Sequence, residues 1–461
     1  MAGFGIRGVV EGFYGRPWTM RDRLDIVDFM GRHGFNLYIY APKDDELHRF
    51  RWRESYDSRF VKAFSEIVEK GSNSGVDVGI AISPGLTVKY SSDEDLNTLV
   101  YKYLEFSKMG VKCFALFYDD IPFHLSHEED RKAFSSLAQA QASFANQVYE
   151  RLGDRLPSLK FIVCPTEYHG RAESNYVVTL GNQLCPEIQI MWTGPQVCSQ
   201  FIPESDALKA KEVFRREVLY WDNYPVNDGS MIPELHIGPY VGRDPEIASH
   251  STGLVLNPMN QAHASMIALG AAADFLIDPW GYDATTSWVN SIKREVPELV
   301  DEMLLLGEYN LLSPIHPEQS ERPSKIVADF RRLKSHGRFE EAVSMILEES
   351  ALIVRTAERL RENLRGQLLE EMALWIYEFE QWGKLLNLAS GILEHRRFIF
   401  EETPERSKLE LLNNRIDEAE DLMAALSRVR TLSGGSVFRE LVAEILIRTK
   451  GLLSLKEGNW K

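Results

Sequence analysis

The sequence predicts an α/β fold in which a (β/α)8 TIM-like barrel is followed by an α-helical C-terminal domain. Two observations lead to this prediction. Short apolar runs recur eight times before about residue 285, and from about residue 326 the apolar residues follow a helical spacing with few prolines. The chain has 461 residues, of which 44% are hydrophobic, so it is long enough for a barrel and a second domain. A doubly wound open sheet is the alternative to the barrel.

The eight runs have the length and the β-branched or aromatic content of buried strands. In chain order they are GVVEG (8–12), LYIYAP (37–42), VGIAISP (78–84), FALFYDD (114–120), FIVCPTEY (161–168), IQIMWTG (188–194), VLYWDNY (218–224) and GLVLNP (253–258). The stretches between them are long enough for a helix and its turns. Residues 20–34 and 93–110, for example, place apolar residues at helical spacing and end on glycine. Such alternation predicts parallel strands joined by helices.

Three parts of the chain follow from these patterns. We predict a barrel domain, expected to be catalytic, over residues 1–305, a linker over 306–325 and a helical bundle over 326–461. Pro314, Pro317 and Pro323 lie among polar residues and indicate the linker. In the bundle, the apolar faces are broad enough to pack on more than one side. Trp375 and Trp382 belong either to the bundle core or to an interface with a second subunit or with the barrel. The broad apolar faces predict that the helical domain packs on the barrel or pairs two chains into a homodimer.

Charge and cysteine content exclude several classes of protein. Acidic residues outnumber basic ones, 68 to 52, which disfavours nucleic acid or an anionic membrane surface as a partner. The four cysteines are far apart and favour reduced core thiols over a zinc cluster or disulfides; they are Cys113, Cys164, Cys185 and Cys198. The sequence has no leader-like start and no apolar run of about 18 residues, so we expect a cytoplasmic protein without membrane association.

Nearly every predicted strand ends in polar or aromatic side chains. In a barrel these ends converge on one mouth, which holds the active site of barrel enzymes. The residues concerned are Glu11, Lys43, Ser83, Asp119, Asp120, Glu167, Tyr168, Trp192, Thr193, Asp222, Asn223 and Asn257. Aromatic residues close to them would suit the apolar faces of sugar rings, or would pack the top of the barrel. They are Phe13, Tyr14, Trp18, Tyr168, Trp192, Trp221 and Tyr224.

The adjacent carboxylates Asp119 and Asp120 are the sharpest chemical feature, because neighbouring acids titrate as a coupled pair. The pair is typical of a divalent-metal site, of acid/base chemistry on a glycosidic bond, or of a solvated loop. Two adjacent residues do not easily straddle a sugar ring as acid and nucleophile. The glycosidic interpretation therefore needs a nucleophile from the substrate, which indicates a 2-acetamido sugar.

Other polar residues fit the glycosidic interpretation better than the metal one. Asn223, Asp228 and Asn257 offer directional hydrogen bonds to sugar hydroxyls, and Lys43 adds a cationic donor. His124, His127 and His169 lack further spaced ligands, so we expect surface or loop histidines.

At these residues the sequence resembles glycoside hydrolase family 84, the O-GlcNAcase and bacterial N-acetyl-β-glucosaminidase family. The ordered motifs are VVEGFYGRPW (9–18), YAPKDD (40–45), WRE (52–54), ISPGL (82–86), DDI (119–121), CPTEY (164–168), WTGP (192–195), WDN with ND (227–228), GPYVGR (238–243) and LNP (256–258). They cover roughly the first 260 residues. The helical remainder resembles the family's following domain by position and composition.

The resemblance implies a role for each matching residue. Asp119 would orient and polarise the substrate acetamide, and Asp120 would be the general acid/base. The sugar-binding positions would be Gly12, through its carbonyl, Lys43, Tyr168, Trp221, Asn223, Asp228 and Asn257. Asp120 would have to start protonated while Asp119 is ionised, and the proximity of two like charges would help to separate their pKa values.

The implied activity is that of a retaining exo-β-N-acetylglucosaminidase, O-GlcNAcase-like, which works by substrate-assisted catalysis through an oxazoline and needs no metal or cofactor. A hyaluronidase-like endo-hydrolase and a non-catalytic GlcNAc-binding module are the alternatives. The resemblance leaves open whether the aglycone is a protein serine or threonine, a peptidoglycan fragment or an oligosaccharide. Residues 229–237 form a loop of this chain's own beside the predicted site.

Overall fold

The computed structural model describes residues 3–318, 320–401, 405–434 and 437–458. Eight parallel strands pair in chain order and close into a barrel, as predicted, and not into an open sheet. The strands are β1 (Ile6–Glu11), β2 (Leu37–Tyr40), β3 (Asp77–Ile82), β4 (Cys113–Phe117), β5 (Lys160–Cys164), β6 (Gln189–Trp192), β7 (Val218–Asp222) and β8 (Ser251–Leu256). The barrel closes where Ile6 of β1 pairs with Gly253 of β8.

Helices follow the strands, and local sequence sets their ends. Those before residue 300 are α1 (Met20–Arg32), α2 (Ser58–Ser74), α3 (Asp93–Ser107), α4 (Glu128–Ala133), α5 (Leu137–Gly153), α6 (Asn175–Gln183), α7 (Glu204–Phe214), α8 (Ile247–His250), α9 (Ala262–Ile277) and α10 (Ala284–Glu295). Thr19 and Asp22 form a reciprocal capping box at the start of α1. Gly75 ends α2 in the left-handed conformation that glycine adopts without strain.

The chain divides into two compact units, Met1–Ser230 with Pro239–Ser291, and Met231–Gly238 with Ile292–Lys461. The second unit contains α11 (Val300–Tyr309), α12 (Glu321–Ser335), α13 (Phe339–Asn363), α14 (Gly366–His395), α15 (Arg406–Leu426) and α16 (Val437–Gly458). Helices α13 and α14 pack on each other, and α14 also contacts α15 and α16. Trp375 and Trp382 are buried in this unit, in agreement with the bundle-core interpretation.

These limits differ from the predicted ones of 305 and 326. The second unit begins earlier because α11 packs against α13. Helix α12 begins at Glu321, inside the predicted linker. Pro323 is compatible with it because the first turn of a helix needs no backbone N–H donor there.

Two acidic residues predicted at the mouth lie elsewhere. Glu11 is fully buried and accepts hydrogen bonds from Arg23 Nε and Nη2, both at 2.8 Å. Asp222 is paired in the same way with Arg243, whose Nε and Nη2 lie at 2.7 and 2.6 Å. Successive side chains of a strand point to opposite sides of the sheet. Each of these acids therefore points to the opposite side from the residues next to it in sequence. Each acid therefore belongs to a buried ion pair with a structural role.

Breaking the Glu11 pair should cost much more stability than breaking a surface pair on the same helix. Arg23→Met leaves a buried carboxylate without its partner, and we expect a loss of about 3–5 kcal/mol in the free energy of unfolding. Arg21→Met, which removes an exposed pair with Asp25 on α1, is the matched control and should cost far less. Urea denaturation followed by circular dichroism measures both. Equal losses would show that burial does not govern the strength of the Glu11 pair.

The cysteines are partly as predicted. Cys113 and Cys164 lie in the barrel core, whereas Cys185 and Cys198 are half-buried and so are not core thiols. None of the helices in the described part of the chain has both the length and the apolar content needed to cross a bilayer.

Candidate active site

Every residue to which the family resemblance gave a role lines one cavity of about 200 Å³. They are Gly12, Lys43, Asp119, Asp120, Tyr168, Trp221, Asn223, Asp228 and Asn257. All of them lie at or just after the carboxyl ends of strands, so residues far apart in sequence meet at one end of the barrel. Five residues that were expected at the mouth only because they end predicted strands do not line the cavity, namely Glu11, Ser83, Glu167, Trp192 and Asp222. The wall is completed by Tyr14, Cys164, Thr193, Val197, Cys198 and Val226. Sequence reasoning gave no role in the site to Cys164, Val197, Cys198 or Val226, because nothing in their local pattern distinguishes them from core or loop residues.

Gly12 and Trp221 shape the floor of the cavity. A Cβ atom on Gly12 would lie 2.4 Å from the Trp221 ring, so a side chain there would displace the indole. The Trp221 Nε1–H donates to Asn223 Oδ1 at 2.8 Å, which fixes the ring against the amide. Glycine is therefore required here for close approach between β1 and β7.

Two asparagines are held by a connected set of hydrogen bonds. Asn223 Oδ1 also accepts from Asn257 Nδ2 at 3.0 Å, and Asn223 Nδ2 donates to the Val197 carbonyl at 2.7 Å. Asn257 Oδ1 accepts from the Gly12 N–H at 3.1 Å. The network sets the orientation of both amides before any ligand arrives.

Asp119 is buried and paired with Lys43. The Lys43 ammonium donates to Asp119 Oδ2, and both side chains are nearly inaccessible to solvent. The second carboxylate oxygen, Oδ1, is buried without a hydrogen-bond partner among the described residues. A buried carboxylate oxygen left without a donor is costly, so it is a strong acceptor for a ligand N–H or O–H group.

Asp120 has an unusual backbone. Its φ of 54° lies in the left-handed region, which costs a non-glycine residue roughly 1–2 kcal/mol. In an extended chain, Asp119 and Asp120 would point in opposite directions. The left-handed turn allows both carboxylates to line the same cavity.

Two tyrosines hold the Asp120 carboxylate. The Tyr14 hydroxyl donates to Oδ2 at 2.7 Å and the Tyr168 hydroxyl donates to Oδ1 at 2.9 Å. Burial raises the pKa of Asp120, but the Lys43 charge, these hydroxyls and Arg49 lower it, and the resulting pKa lies below the usual value. The sequence interpretation expected Asp120 to start protonated, with repulsion between the two acids supplying part of the separation of their pKa values, whereas the structure lowers the pKa of Asp120. The Lys43 charge beside Asp119 offsets that repulsion.

Asp228 completes the polar wall and connects to the first loop. Its Oδ2 accepts from the Tyr14 backbone N–H at 2.8 Å. Burial raises the pKa of Asp228 above its usual value, the repulsion from Asp120 adds to this, and the Tyr14 N–H and Lys43 oppose it. The second carboxylate oxygen leaves Asp228 able to accept from a ligand hydroxyl.

The other predicted aromatic residues divide into two groups. Tyr14, Tyr168 and Trp221 line the cavity. The remaining ones are buried in packing and are Phe13, Trp18, Trp192 and Tyr224. The three loop histidines are exposed or half-buried, and no cluster of three or more potential metal ligands occurs within the described ranges.

Comparison with known proteins shows the family to which the chain belongs. The family model for β-N-acetylglucosaminidases matches residues 7–307, about two thirds of the chain, and covers all eight strands of the barrel except Ile6, the first residue of β1. The chain belongs to this family. The recognition of glycoside hydrolase family 84 from the sequence motifs is thereby confirmed, and the protein is a glycoside hydrolase.

Members of the β-N-acetylglucosaminidase family resemble the chain over different lengths. The chain is 36% identical over 272 residues to the protein O-GlcNAcase of Rattus norvegicus. This alignment spans 58% of the chain and 29% of the rat protein. A mutant of the Thermobaculum terrenum O-GlcNAc hydrolase superposes with a TM-score of 0.94 at 35% identity and covers 99% of this chain and 97% of that one. CpGH84B superposes with a TM-score of 0.84 at 26% identity, over 96% and 77% of the two chains.

Proposed function

We propose that the chain is a retaining exo-β-N-acetylglucosaminidase that removes terminal β-linked N-acetylglucosamine by substrate-assisted catalysis through an oxazoline. The observation that carries this proposal is the Asp119–Asp120 pair. One acid presents a buried oxygen that accepts no hydrogen bond from any described residue, and its neighbour lies at the cavity mouth between two hydroxyl donors. The first suits an amide N–H, and the second suits an oxygen that gains or loses a proton.

In the first step, the acetamide oxygen of the sugar attacks the anomeric carbon, and the bond to the leaving oxygen breaks. Asp120 transfers its proton to that oxygen. Asp119 accepts the amide N–H through Oδ1, and its negative charge stabilises the positive charge that develops on the ring nitrogen. The products of this step are a free aglycone and an oxazoline that is still protonated on nitrogen, an oxazolinium ion whose N–H stays hydrogen-bonded to the Asp119 carboxylate.

In the second step, water attacks the same carbon from the side that the aglycone has left. Asp120, now a carboxylate, takes the water proton, and the oxazoline reopens to the acetamide. Two inversions give overall retention, and every proton is accounted for without a metal or cofactor.

A protein nucleophile fits this cavity poorly. Retaining enzymes that use one place two carboxyl groups about 5–5.5 Å apart on opposite faces of the sugar. Here the two acids are consecutive residues, and one oxygen of Asp119 is held by Lys43.

The size of the cavity favours exo action. Its volume of about 200 Å³ is below the roughly 300–1,000 Å³ of typical ligand pockets, which suits one sugar ring better than an extended chain. Within it, Asp228, Asn257 and the Gly12 carbonyl are the proposed hydroxyl contacts. The Trp221 indole supplies an apolar surface beside the acetamide, and Tyr168 and Asn223 flank it.

The proposed natural substrate is GlcNAc on a protein serine or threonine, by similarity to the rat and Thermobaculum enzymes. Because the alignment covers 29% of the rat protein, the aglycone has to be tested directly. We expect the purified chain to release GlcNAc from an aryl β-GlcNAc glycoside and from an O-GlcNAc-modified protein, and to leave hyaluronan intact.

The same panel separates the alternatives. Cleavage of hyaluronan into oligosaccharides would favour an endo-hydrolase, and binding of GlcNAc without any turnover would indicate a non-catalytic module. Faster release from chitin oligosaccharides or a peptidoglycan fragment than from the protein would keep the exo activity but replace the aglycone.

A homodimer through the helical unit and a cytoplasmic location are also proposals. Leu374 and Tyr377 are exposed apolar residues one turn apart on α14 and are suitable for a contact between subunits. Light scattering over a range of concentrations tests the first, and cell fractionation tests the second.

A further inference from the structure

Arg49 is a buried cation that forms no ion pair among the described residues. Its side chain lies beside the cavity, and the residue is only 6% exposed. The Nη1 group donates to the Tyr14 hydroxyl at 2.7 Å, and Nη2 donates to the backbone carbonyl of Asp120 at 2.9 Å. The guanidinium also lies 5.5 Å from the centre of the Tyr14 ring. Burying an arginine without a carboxylate is costly, so this arrangement calls for a functional reason.

The loop that carries Arg49 is held firmly in place. Lys102 of α3 donates to the backbone carbonyls of Leu47, Trp52 and Glu54 at 2.7–2.8 Å. The carbonyl of His48, next to Arg49, accepts from the Ser83 N–H at 2.9 Å. The guanidinium is therefore presented to Tyr14 and Asp120 from a fixed backbone.

The hydrogen-bond donors around Tyr14 determine which way its hydroxyl proton points. An arginine can only donate, so the Tyr14 oxygen must accept from Arg49. The single phenolic proton is then directed to Asp120 Oδ2, and the charge behind it strengthens the bond. In addition, the bond from Nη2 holds the carbonyl of the residue in the left-handed conformation.

We propose that Arg49 is a positioning residue for the general acid/base, acting through the Tyr14 hydroxyl and the Asp120 carbonyl to orient Asp120 and to favour its ionised form. This inference rests on the role given to Asp120 in the proposed function. The ionised form is the one that takes the proton from water in the second step. The protonated form is needed for the first, so Arg49 sets the balance between the two steps.

Asp120 is also faced by groups from other loops. Lys43 and Asp119 are paired with each other, Tyr168 donates to Oδ1, and Asp228 lies beyond Tyr14. These remain when Arg49 is replaced, so the change removes only the cation and its two hydrogen bonds, to the Tyr14 hydroxyl and to the Asp120 carbonyl. Removing a cation raises the pKa of a neighbouring carboxyl group, and the protonated acid then persists to higher pH.

The test is the pH dependence of kcat/KM for Arg49→Met on two β-GlcNAc glycosides. With an alkyl leaving group, which needs the acid, the loss of activity on the alkaline side should move to higher pH by on the order of one unit. With an acidic phenol as leaving group, the first step needs little protonation. The loss of activity on the alkaline side, the alkaline limb of the pH profile, should then be weak in both the wild type and Arg49→Met. Tyr14→Phe should shift the limb in the same direction, and Arg49→Lys, which keeps the charge, should shift it less.

Arg51→Met is the matched control. Arg51 lies in the same loop but is exposed and pairs with Glu46 and Glu54, so its removal should leave the limb in place. If Arg49 were only structural, kcat/KM would fall by the same factor at every pH. A limb present in the wild type but unmoved by both Arg49→Met and Tyr14→Phe would overturn the inference and leave the proposed function standing. An alkyl-glycoside limb that survives in Asp120→Ala would instead contradict the role of Asp120 itself.

Discussion

Asp119→Asn and Asp120→Ala should lower kcat/KM in two different patterns when the leaving group is varied. Loss of the Asp119 charge should slow all β-GlcNAc glycosides by a similar factor, on the order of 10²–10³, because the acetamide must be polarised whatever departs. Loss of Asp120 should cost about 10²–10⁴ for an alkyl or serine-linked sugar and little for a good leaving group.

The measurement is kcat/KM for both variants against aryl glycosides of graded phenol acidity, read as differences in transition-state free energy. Asp120→Ala should show a steep dependence on the phenol pKa, and Asp119→Asn a nearly parallel decrease. Thermal melting checks the fold, since Asp119→Asn leaves the Lys43 charge buried without its partner. The reversed pattern would exchange the two roles, and equal small effects would assign the chemistry to other residues.

A β-glucoside with the same leaving group should be inert. It lacks the acetamide oxygen that attacks the anomeric carbon, and the proposed function gives the three carboxylates that line the cavity, Asp119, Asp120 and Asp228, other roles than that of a nucleophile. Intramolecular groups in good geometry act at effective molarities of about 10⁵–10⁸ M, so we expect kcat/KM to be lower by at least about 10⁵-fold. Turnover of the glucoside within tenfold of the GlcNAc glycoside would require a protein nucleophile.

The barrel and the membership of the cavity could be predicted because they depend on local patterns. Eight apolar runs separated by helical stretches define the topology, and the barrel rule then brings Lys43, Asp120 and Asn257 together. The sequence does not show to which side of its strand each side chain points. Asp222 is buried between Trp221 and Asn223, which line the cavity, and a run that is buried on both faces gives no alternation to set the phase.

The sequence also does not show which charged side chains pair with each other. The two adjacent acids were visible, but their compensating cation, Lys43, lies 76 residues from Asp119 and was assigned only to a sugar hydroxyl. Arg49 carries no local signal, since its role depends on contacts with loops 35 and 71 residues away. The loop at 231–238 belongs with the helical unit, and its sequence contains no helical pattern to indicate this.

Varying the electron demand of the acetamide is the most direct test of the central claim, that the substrate supplies the nucleophile and Asp119 supports it. The wild-type chain is assayed with aryl β-glucosaminides whose N-acetyl group carries zero, one, two or three fluorine atoms. Each fluorine makes the carbonyl oxygen a weaker nucleophile while the leaving group stays the same. We predict a steep, stepwise fall in kcat/KM across the series, and a series that stays flat would contradict participation of the acetamide.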